Sequence, residues 1–222
     1  MTAQAGDHAV GDVAVAVGYI EEILALNKEY AAGHGVEFFI KQSGGQKPRA
    51  TVLMCADSRV HVNALDKTPE GDLFLVRNIG NQMATSKGSV QYGVNHLASS
   101  LLLVMGHSNC GAIKAAAGDY SSLEESIKKE LDTISIPKGS ENVDGVIANV
   151  NNQVASALTE WDDKVKAGQL LIVGAVYDFA DAMHKGAGNF NIININGETD
   201  PAKLDATLAA AGKSRSGHDH QH

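Results

Sequence analysis

Runs of apolar residues that alternate with helical patterns most constrain the fold of this chain. The runs are nearly continuous and lie at 51–54, 73–76, 101–105 and 170–176, with a possible fifth strand at 190–195. Helical spacing of apolar residues lies between them, at 89–99, 111–117, 121–133 and 146–161. Strands that are apolar on both faces are typical of parallel sheets covered by helices. We therefore predict an α/β fold, a mostly parallel sheet of four to five strands flanked by helices.

An N-terminal helical arm is predicted before the first strand. Apolar residues recur at helical spacing over 13–32, and Gly33 and Gly35 indicate its end. A turn at 44–48 follows, in which Pro48 marks the start of a strand because it has no N–H to donate to a ladder.

The chain is predicted to form a single domain over 1–222, because no change of composition divides it. A loop is expected at 135–145 and flexible ends at 1–12 and 212–222. The second of these ends is polar and rich in histidine, so it is expected to be a disordered tail that at most binds metal adventitiously.

Composition excludes two classes of partner. The net charge is −8 and no basic stripe is present, so nucleic acid is not expected to bind. No segment approaches the roughly 20 apolar residues that a membrane span needs. The first residues contain neither the basic segment nor the long apolar core of a signal peptide, so a cytoplasmic location is expected. An exported protein whose signal peptide had been trimmed would have the same sequence.

Potential metal ligands follow two of the predicted strands. Cys55 and Asp57 come after the first apolar run, and His107 and Cys110 come after the third. The carboxyl ends of parallel strands meet at one edge of a sheet, where ligands bind in open α/β folds. Thiolates and an imidazole are donors that Zn²⁺ prefers, and a carboxylate can bind or leave. A zinc site is therefore predicted, whereas two inert core cysteines and a buried histidine are the alternative.

The two motifs resemble those of β-class carbonic anhydrases. Cys55-x-Asp57-x-Arg59 and His107-x-x-Cys110 carry the resemblance, which covers about half of the chain. It implies Cys55, His107 and Cys110 as permanent zinc ligands. It also implies that Asp57 is a displaceable fourth ligand, or pairs with Arg59 instead, and that both residues are catalytic.

The plant-like branch of that family suggests further substrate-binding residues. Gln46, Phe74 and Tyr92 stand where that branch has a glutamine and two aromatics, and the backbone amide of Gly111 is available to substrate. Another branch has an inhibitory bicarbonate site that contains a tryptophan, which is Val52 here, while its arginine and tyrosine match Arg77 and Tyr177. Tryptophan-dependent inhibition by bicarbonate is therefore not expected.

The resemblance implies reversible, zinc-dependent hydration of CO₂ to bicarbonate and a proton by a zinc-bound hydroxide. Two thiolates cancel the charge of the metal and weaken its pull on the water proton, so activity is expected to rise on the alkaline side of neutrality. Arg59 could hold Asp57 so that the carboxylate accepts the hydrogen of the hydroxide.

Three alternatives remain open. The chain could be a zinc hydrolase of the same fold that acts on carbonyl sulfide or carbon disulfide, or a non-catalytic module stapled by zinc. It could also be a metal-free domain that uses the thiol of Cys55 with His107.

The family usually forms homodimers or assemblies of dimers such as tetramers, for which the N-terminal helix is a plausible exchanged arm.

Overall fold

The computed structural model describes residues 13–216, which divide at Gly45 into two compact units. The first unit contains one helix, α1 (Val13–Ser43), which is interrupted at Gly35 (φ 71°, ψ 169°). Glycine accepts this positive φ without a Cβ clash. The predicted helix is present and is interrupted near its expected end, and a further helical segment follows to Ser43. Many of its large apolar side chains are exposed.

The second unit contains the predicted sheet, which has five strands. They are β1 (Ala50–Cys55), β2 (Leu73–Asn78), β3 (Leu101–His107), β4 (Leu171–Asp178) and β5 (Asn189–Ile195). Their order across the sheet is β2-β1-β3-β4-β5. The first four strands are parallel, and β5 pairs with β4 in the antiparallel direction. The predicted α/β class and mostly parallel sheet are confirmed.

Helices connect or follow the strands: α2 (Lys87–Gln91), α3 (Gly111–Ala117), α4 (Glu125–Leu131), α5 (Asn142–Lys166) and α6 (Pro201–Ser216). The helix predicted at 89–99 is α2 followed by a π-helical turn at Tyr92–His96. The helix predicted at 121–133 is shorter, and α5 begins inside the loop predicted at 135–145. Sequence analysis missed α6, which includes 212–216 of the predicted flexible end; the expectations for 1–12 and 217–222 lie outside the described residues.

Alternate residues of the central strands face two apolar clusters, one on each side of the sheet. Leu53 and Val104 belong to one cluster, and Val52 and Met105 to the other. Helix α5 packs closely on β3 and β4 because glycines leave room for it. A Cβ on Gly106 would come within 2.8 Å of valine methyl groups of α5. The sheet edge that carries the predicted ligands is therefore held firmly from one side.

Within residues 13–216, no helix is both long and apolar enough to cross a membrane. The cytoplasmic location stays a prediction.

Candidate metal centre

The structure brings Cys55, His107 and Cys110 together at the carboxyl edge of the sheet. β1 and β3 are neighbours, with Met54 aligned to Met105, so Cys55 and His107 end adjacent strands. The chain then turns through Ser108 and Asn109 and places Cys110 directly before α3. The ligand atoms of the three side chains all lie within 4.8 Å of one another, and all three residues are buried. The sheet topology therefore assembles a compact set of two sulfurs and one nitrogen.

One nitrogen of His107 has an incomplete environment. Nδ1 lies 2.9 Å from the backbone oxygen of Ser108, which can only accept a hydrogen bond, so Nδ1 carries the proton. Nε2 therefore presents a lone pair. This atom is buried and makes no hydrogen bond to any described residue. Buried polar atoms are nearly always paired, and a metal ion would complete this one. The donor set and the fixed tautomer both fit zinc.

The two thiols are electrostatically coupled. The pKa of Cys55 is lowered, first because the Cys110 thiol donates to it, and further because the backbone N–H groups of Gly80 and Asp57 donate toward its sulfur. The pKa of Cys110 is raised because its proton is held by Cys55 and because the group is buried. In the metal-free protein the pair therefore shares one proton, which a metal ion would displace.

Asp57 and Arg59 form a bidentate ion pair beside the cluster. Arg59 Nε lies 2.9 Å from Asp57 Oδ1, and Arg59 Nη2 lies 2.6 Å from Oδ2. The backbone N–H of Arg59 also donates to Oδ1. These contacts lower the pKa of Asp57 to about 2, so the carboxylate is ionised at neutral pH. Its Oδ2 lies 3.8 Å from His107 Nε2, within reach of a ligand held by the cluster.

An aromatic residue that sequence analysis missed also belongs to this site. The ring of Phe179 stacks on that of His107, with centroids 5.7 Å apart and an interplanar angle of 27°. The guanidinium carbon of Arg59 lies 4.9 Å from the centroid of the same ring. Phe179 directly follows β4, so the rule that ligands collect at the carboxyl ends of parallel strands could have identified it.

A buried carboxylate fixes the loop that carries Phe179. Asp178 ends β4 and is fully buried. Its side chain accepts N–H bonds from Met183 at 2.7 Å and Ala182 at 3.0 Å, and a longer one from Ala180 at 3.3 Å. The N–H of Ala180 also donates to Ser108 Oγ. The loop is therefore tied both to the end of β4 and to the residue that follows His107.

Buried amide side chains support the turn next to Cys55. Asn149 of α5 donates to the carbonyl of Gly80 at 2.9 Å and accepts from Gln82 at 2.7 Å. Gln153, also on α5, accepts from the N–H of Met83 at 2.8 Å. Because the N–H of Gly80 interacts with the Cys55 sulfur, this network helps to set the environment of the thiolate. Its members are far apart in sequence and form no motif, so sequence analysis did not identify them.

The four predicted substrate residues are not gathered at one place. Gly111 is exposed and lies next to Cys110. Gln46 precedes β1, and is therefore at the opposite end of that strand from Cys55. Phe74 is aligned with Thr51, which corresponds to about 13 Å along β1 from Cys55 at the usual strand rise. Tyr92 packs against Phe74, with ring centroids 5.8 Å apart. Within one chain, Gly111 is the one of these four residues that adjoins the cluster of Cys55, His107 and Cys110.

Arg77, which matches the arginine of the bicarbonate site in the other branch, binds three backbone carbonyls. Nε donates to the carbonyl of Cys55 at 3.0 Å, and Nη2 donates to those of Asp57 and Val60 at 2.8 and 3.0 Å. The guanidinium therefore holds the loop that contains Asp57.

Comparisons with known proteins agree with this site. The family model described as carbonic anhydrase matches residues 50–184, which is more than half of the chain. A carbonic anhydrase of Mycolicibacterium smegmatis is 30% identical over 175 residues, which cover 70% of this chain and 85% of the relative. One of Emericella nidulans is 36% identical over 103 residues, which cover 43% of this chain and only 45% of that relative.

Solved structures agree with the fold. The β-carbonic anhydrase CafA of Aspergillus fumigatus has a TM-score of 0.66 at 23% identity, over 86% of this chain and 98% of that one. A structure from a study of two tetrameric β-carbonic anhydrases of Sordaria macrospora has a TM-score of 0.62 at 22% identity. The match covers 81% of this chain and 97% of that one. The family match, the curated relatives and the shared fold together show that the chain belongs to the β-carbonic anhydrase family.

Proposed function

We propose that this protein catalyses the reversible hydration of CO₂ to bicarbonate, with zinc held by Cys55, His107 and Cys110. The observation that carries the proposal is the buried, unpaired Nε2 of His107 between two thiols, with an ionised carboxylate 3.8 Å away. Structural zinc sites are closed by four protein ligands, whereas here three ligands cluster and the nearby carboxylate of Asp57 is held by Arg59. The family membership supports the same reaction.

The residues around the cluster have separate roles in this proposal. Zinc, when bound, supplies a Lewis acid that lowers the pKa of water and makes a nucleophile available near neutral pH. Asp57 accepts a hydrogen bond from that nucleophile and orients it toward CO₂. Arg59 holds Asp57 with two parallel hydrogen bonds, which fix both the position and the ionised state of the carboxylate. The backbone N–H of Gly111 donates to a substrate oxygen.

The position of the other substrate residues supports a homo-oligomer. Gln46, Phe74 and Tyr92 lie toward the amino end of the strands, away from the metal cluster of their own chain. Gln46 and Tyr92 are exposed, so a second copy of the chain can present them to the cluster. We propose a dimer or tetramer in which they complete the substrate pocket. Exposed apolar side chains on α1 are also typical of an interface.

The proposed reaction is tested by zinc analysis together with stopped-flow CO₂ hydration. We expect one zinc per chain and turnover that rises with alkaline pH. Asp57→Asn should keep its zinc and lose activity about 10–100-fold, as is usual for groups that support a metal site. Asp66→Asn is the matched control, because Asp66 also pairs with an arginine, Arg49, but precedes β2.

Two outcomes would contradict the proposal. A zinc-loaded protein that hydrolyses carbonyl sulfide or carbon disulfide but leaves CO₂ unchanged would show that a different substrate is used. A protein with full zinc and no turnover of any of the three gases would indicate a structural site.

The oligomer is tested by mixing two inactive variants. Asp57→Asn damages the metal side of the pocket, and Tyr92→Ala damages the substrate side. If the two sides come from different copies, a mixed dimer contains one intact pocket and regains activity. Mixtures that remain inactive, although mass spectrometry shows that mixed dimers form, would contradict the shared pocket.

A further inference from the structure

The ring of Phe179 contacts two functional groups at once. One contact is the stacked imidazole of His107, and the other is the guanidinium of Arg59. A cation that lies over an aromatic face within about 6 Å of the centroid is attracted by the ring quadrupole. Phe179 therefore joins a predicted metal ligand to the arginine that holds Asp57.

The ring cannot easily leave this position. The carboxylate of Asp178 fixes the following loop through backbone N–H groups, and Ser108 Oγ accepts from Ala180. Tyr177 also contacts the ring edge-on, with centroids 5.8 Å apart. The backbone on both sides of Phe179 is thus held, whereas half of the Arg59 side chain is exposed and needs support to keep one conformation.

We propose that Phe179 is a positioning residue that holds the Arg59 guanidinium in the orientation that grips Asp57. The inference rests on the proposed function for its effect on catalysis, but not for its effect on Arg59. Three contacts define the guanidinium: the two-pronged contact with Asp57, the carbonyl of Asn109 at 3.1 Å, and the face of Phe179. The ring restrains the guanidinium from its face, so loss of the ring lets the guanidinium plane tilt and weakens the alignment of both bonds to Asp57.

Simple core packing is the alternative role for Phe179, which is partly buried against the cluster that contains Met105. The two roles depend on different properties of the side chain. Packing needs apolar volume, which leucine largely retains. Support of Arg59 needs the electron-rich face of the ring, which tyrosine retains and leucine lacks. Pentafluorophenylalanine at position 179 keeps the ring but reverses the charge of its face.

The experiment observes the Nε–H of Arg59 by NMR in zinc-loaded protein with labelled arginine. The chain has only four arginines, so the spectrum is simple. In the wild type, the ring should shield this proton, and the hydrogen bond to Asp57 should slow its exchange with water. In Phe179→Leu we expect a downfield shift and exchange about two- to five-fold faster, the factor typical of a cation–π contact at an exposed site. Phe179→Tyr should retain both wild-type properties.

Arg77 provides an internal control, because its Nε–H donates to the carbonyl of Cys55. Its signal should stay constant in every variant that folds correctly. If leucine does not fold, the pentafluorinated ring gives the same comparison without loss of shape, and it should also speed exchange. Wild-type exchange at Arg59 in the leucine or the pentafluorinated protein would overturn the proposal.

Activity provides a separate measurement. Phe179→Leu should lower the rate of CO₂ hydration at unchanged zinc content. Phe179→Tyr should keep the wild-type rate. If the wild type does not hydrate CO₂ but exchange at Arg59 is still altered in Phe179→Leu, the positioning role is supported and the proposed function is refuted. If the Phe179→Leu variant hydrates CO₂ and its exchange at Arg59 is unaltered, the proposed function is supported and the positioning role is refuted.

Discussion

Replacement of Asp178 by asparagine should destabilise the protein strongly, although the two side chains have nearly the same shape. The carboxylate is fully buried and accepts from the N–H groups of Met183 and Ala182. The NH₂ group of asparagine would face one of these N–H donors and leave it unpaired, which costs about 1–3 kcal/mol. The remaining hydrogen bonds would be accepted by a neutral instead of a charged oxygen, which costs about 1 kcal/mol more. We expect a loss of about 2–4 kcal/mol at neutral pH.

The loss should depend on pH with a definite sign. Burial alone raises the pKa of Asp178, but hydrogen bonds from Met183, Ala182, Ser108 and Ala180 overcome it, and the net pKa is lowered. An aspartate in the unfolded chain has a pKa of about 3.9. The stability that ionised Asp178 contributes is therefore complete above this pH and is lost as pH falls through the lower pKa of the folded state. Asparagine does not titrate, so the two proteins should converge in acid.

The assay is thermal unfolding of metal-depleted wild type and variant between pH 7 and pH 3, so that release of metal in acid does not contribute. For a chain of this size, 1 kcal/mol corresponds to about 2–4 °C in Tm, so the variant should unfold about 4–16 °C lower at pH 7. Asp205→Asn, on the exposed side of α6, should leave Tm unchanged. A Tm difference between wild type and Asp178→Asn that is constant across the whole range would refute the reasoning.

Three further results are expected. Cys110→Ser should lower zinc content and CO₂ hydration together in elemental analysis and stopped-flow assays; full zinc in this variant would remove Cys110 from the site. Gly174→Ala should cost about 1–3 kcal/mol in urea unfolding, because a Cβ there would lie 2.8 Å from a methyl of Val150 on α5; an unchanged midpoint would show that α5 can move aside. Bicarbonate should act only as a simple product inhibitor in initial-rate assays, because the guanidinium of Arg77 is occupied by three carbonyls; sigmoidal inhibition that disappears in Arg77→Lys would contradict this.

The sheet and the metal cluster could be predicted because both follow from local chemistry. Apolar runs identified every strand to within a few residues, and the signal was clearest for β1, β3 and β4, which are buried on both faces. The meeting of Cys55 and His107 followed from the rule for carboxyl ends of parallel strands. Neither inference needed knowledge of side-chain contacts.

The parts that could not be predicted depend on tertiary structure. Helix α6 has a mixed, weakly amphipathic sequence, so no stripe of apolar residues marked it. The amide network of Asn149 and Gln153 forms only when α5 packs beside the Gly80 turn. The position of Phe179 after β4 could have been noticed, but its contacts with His107 and Arg59 could not be predicted, because these partners come from other parts of the chain. Gln46 was assigned to the substrate pocket by resemblance, but it precedes β1, whereas Cys55 ends that strand, so the two lie at opposite ends of β1.

The order β2-β1-β3 has a consequence for how the protein acquires its metal. Cys55 and His107 end strands that are adjacent in space, but the chain forms all of β2 and crosses back over β1 before it reaches β3. Contacts between distant segments form slowly, because loop closure must precede them. A newly made chain thus offers no complete site until the centre of the sheet has paired. Uptake of zinc at the proposed site would therefore require that β1 and β3 have paired, and a bound ion should chiefly slow unfolding by holding these two strands together.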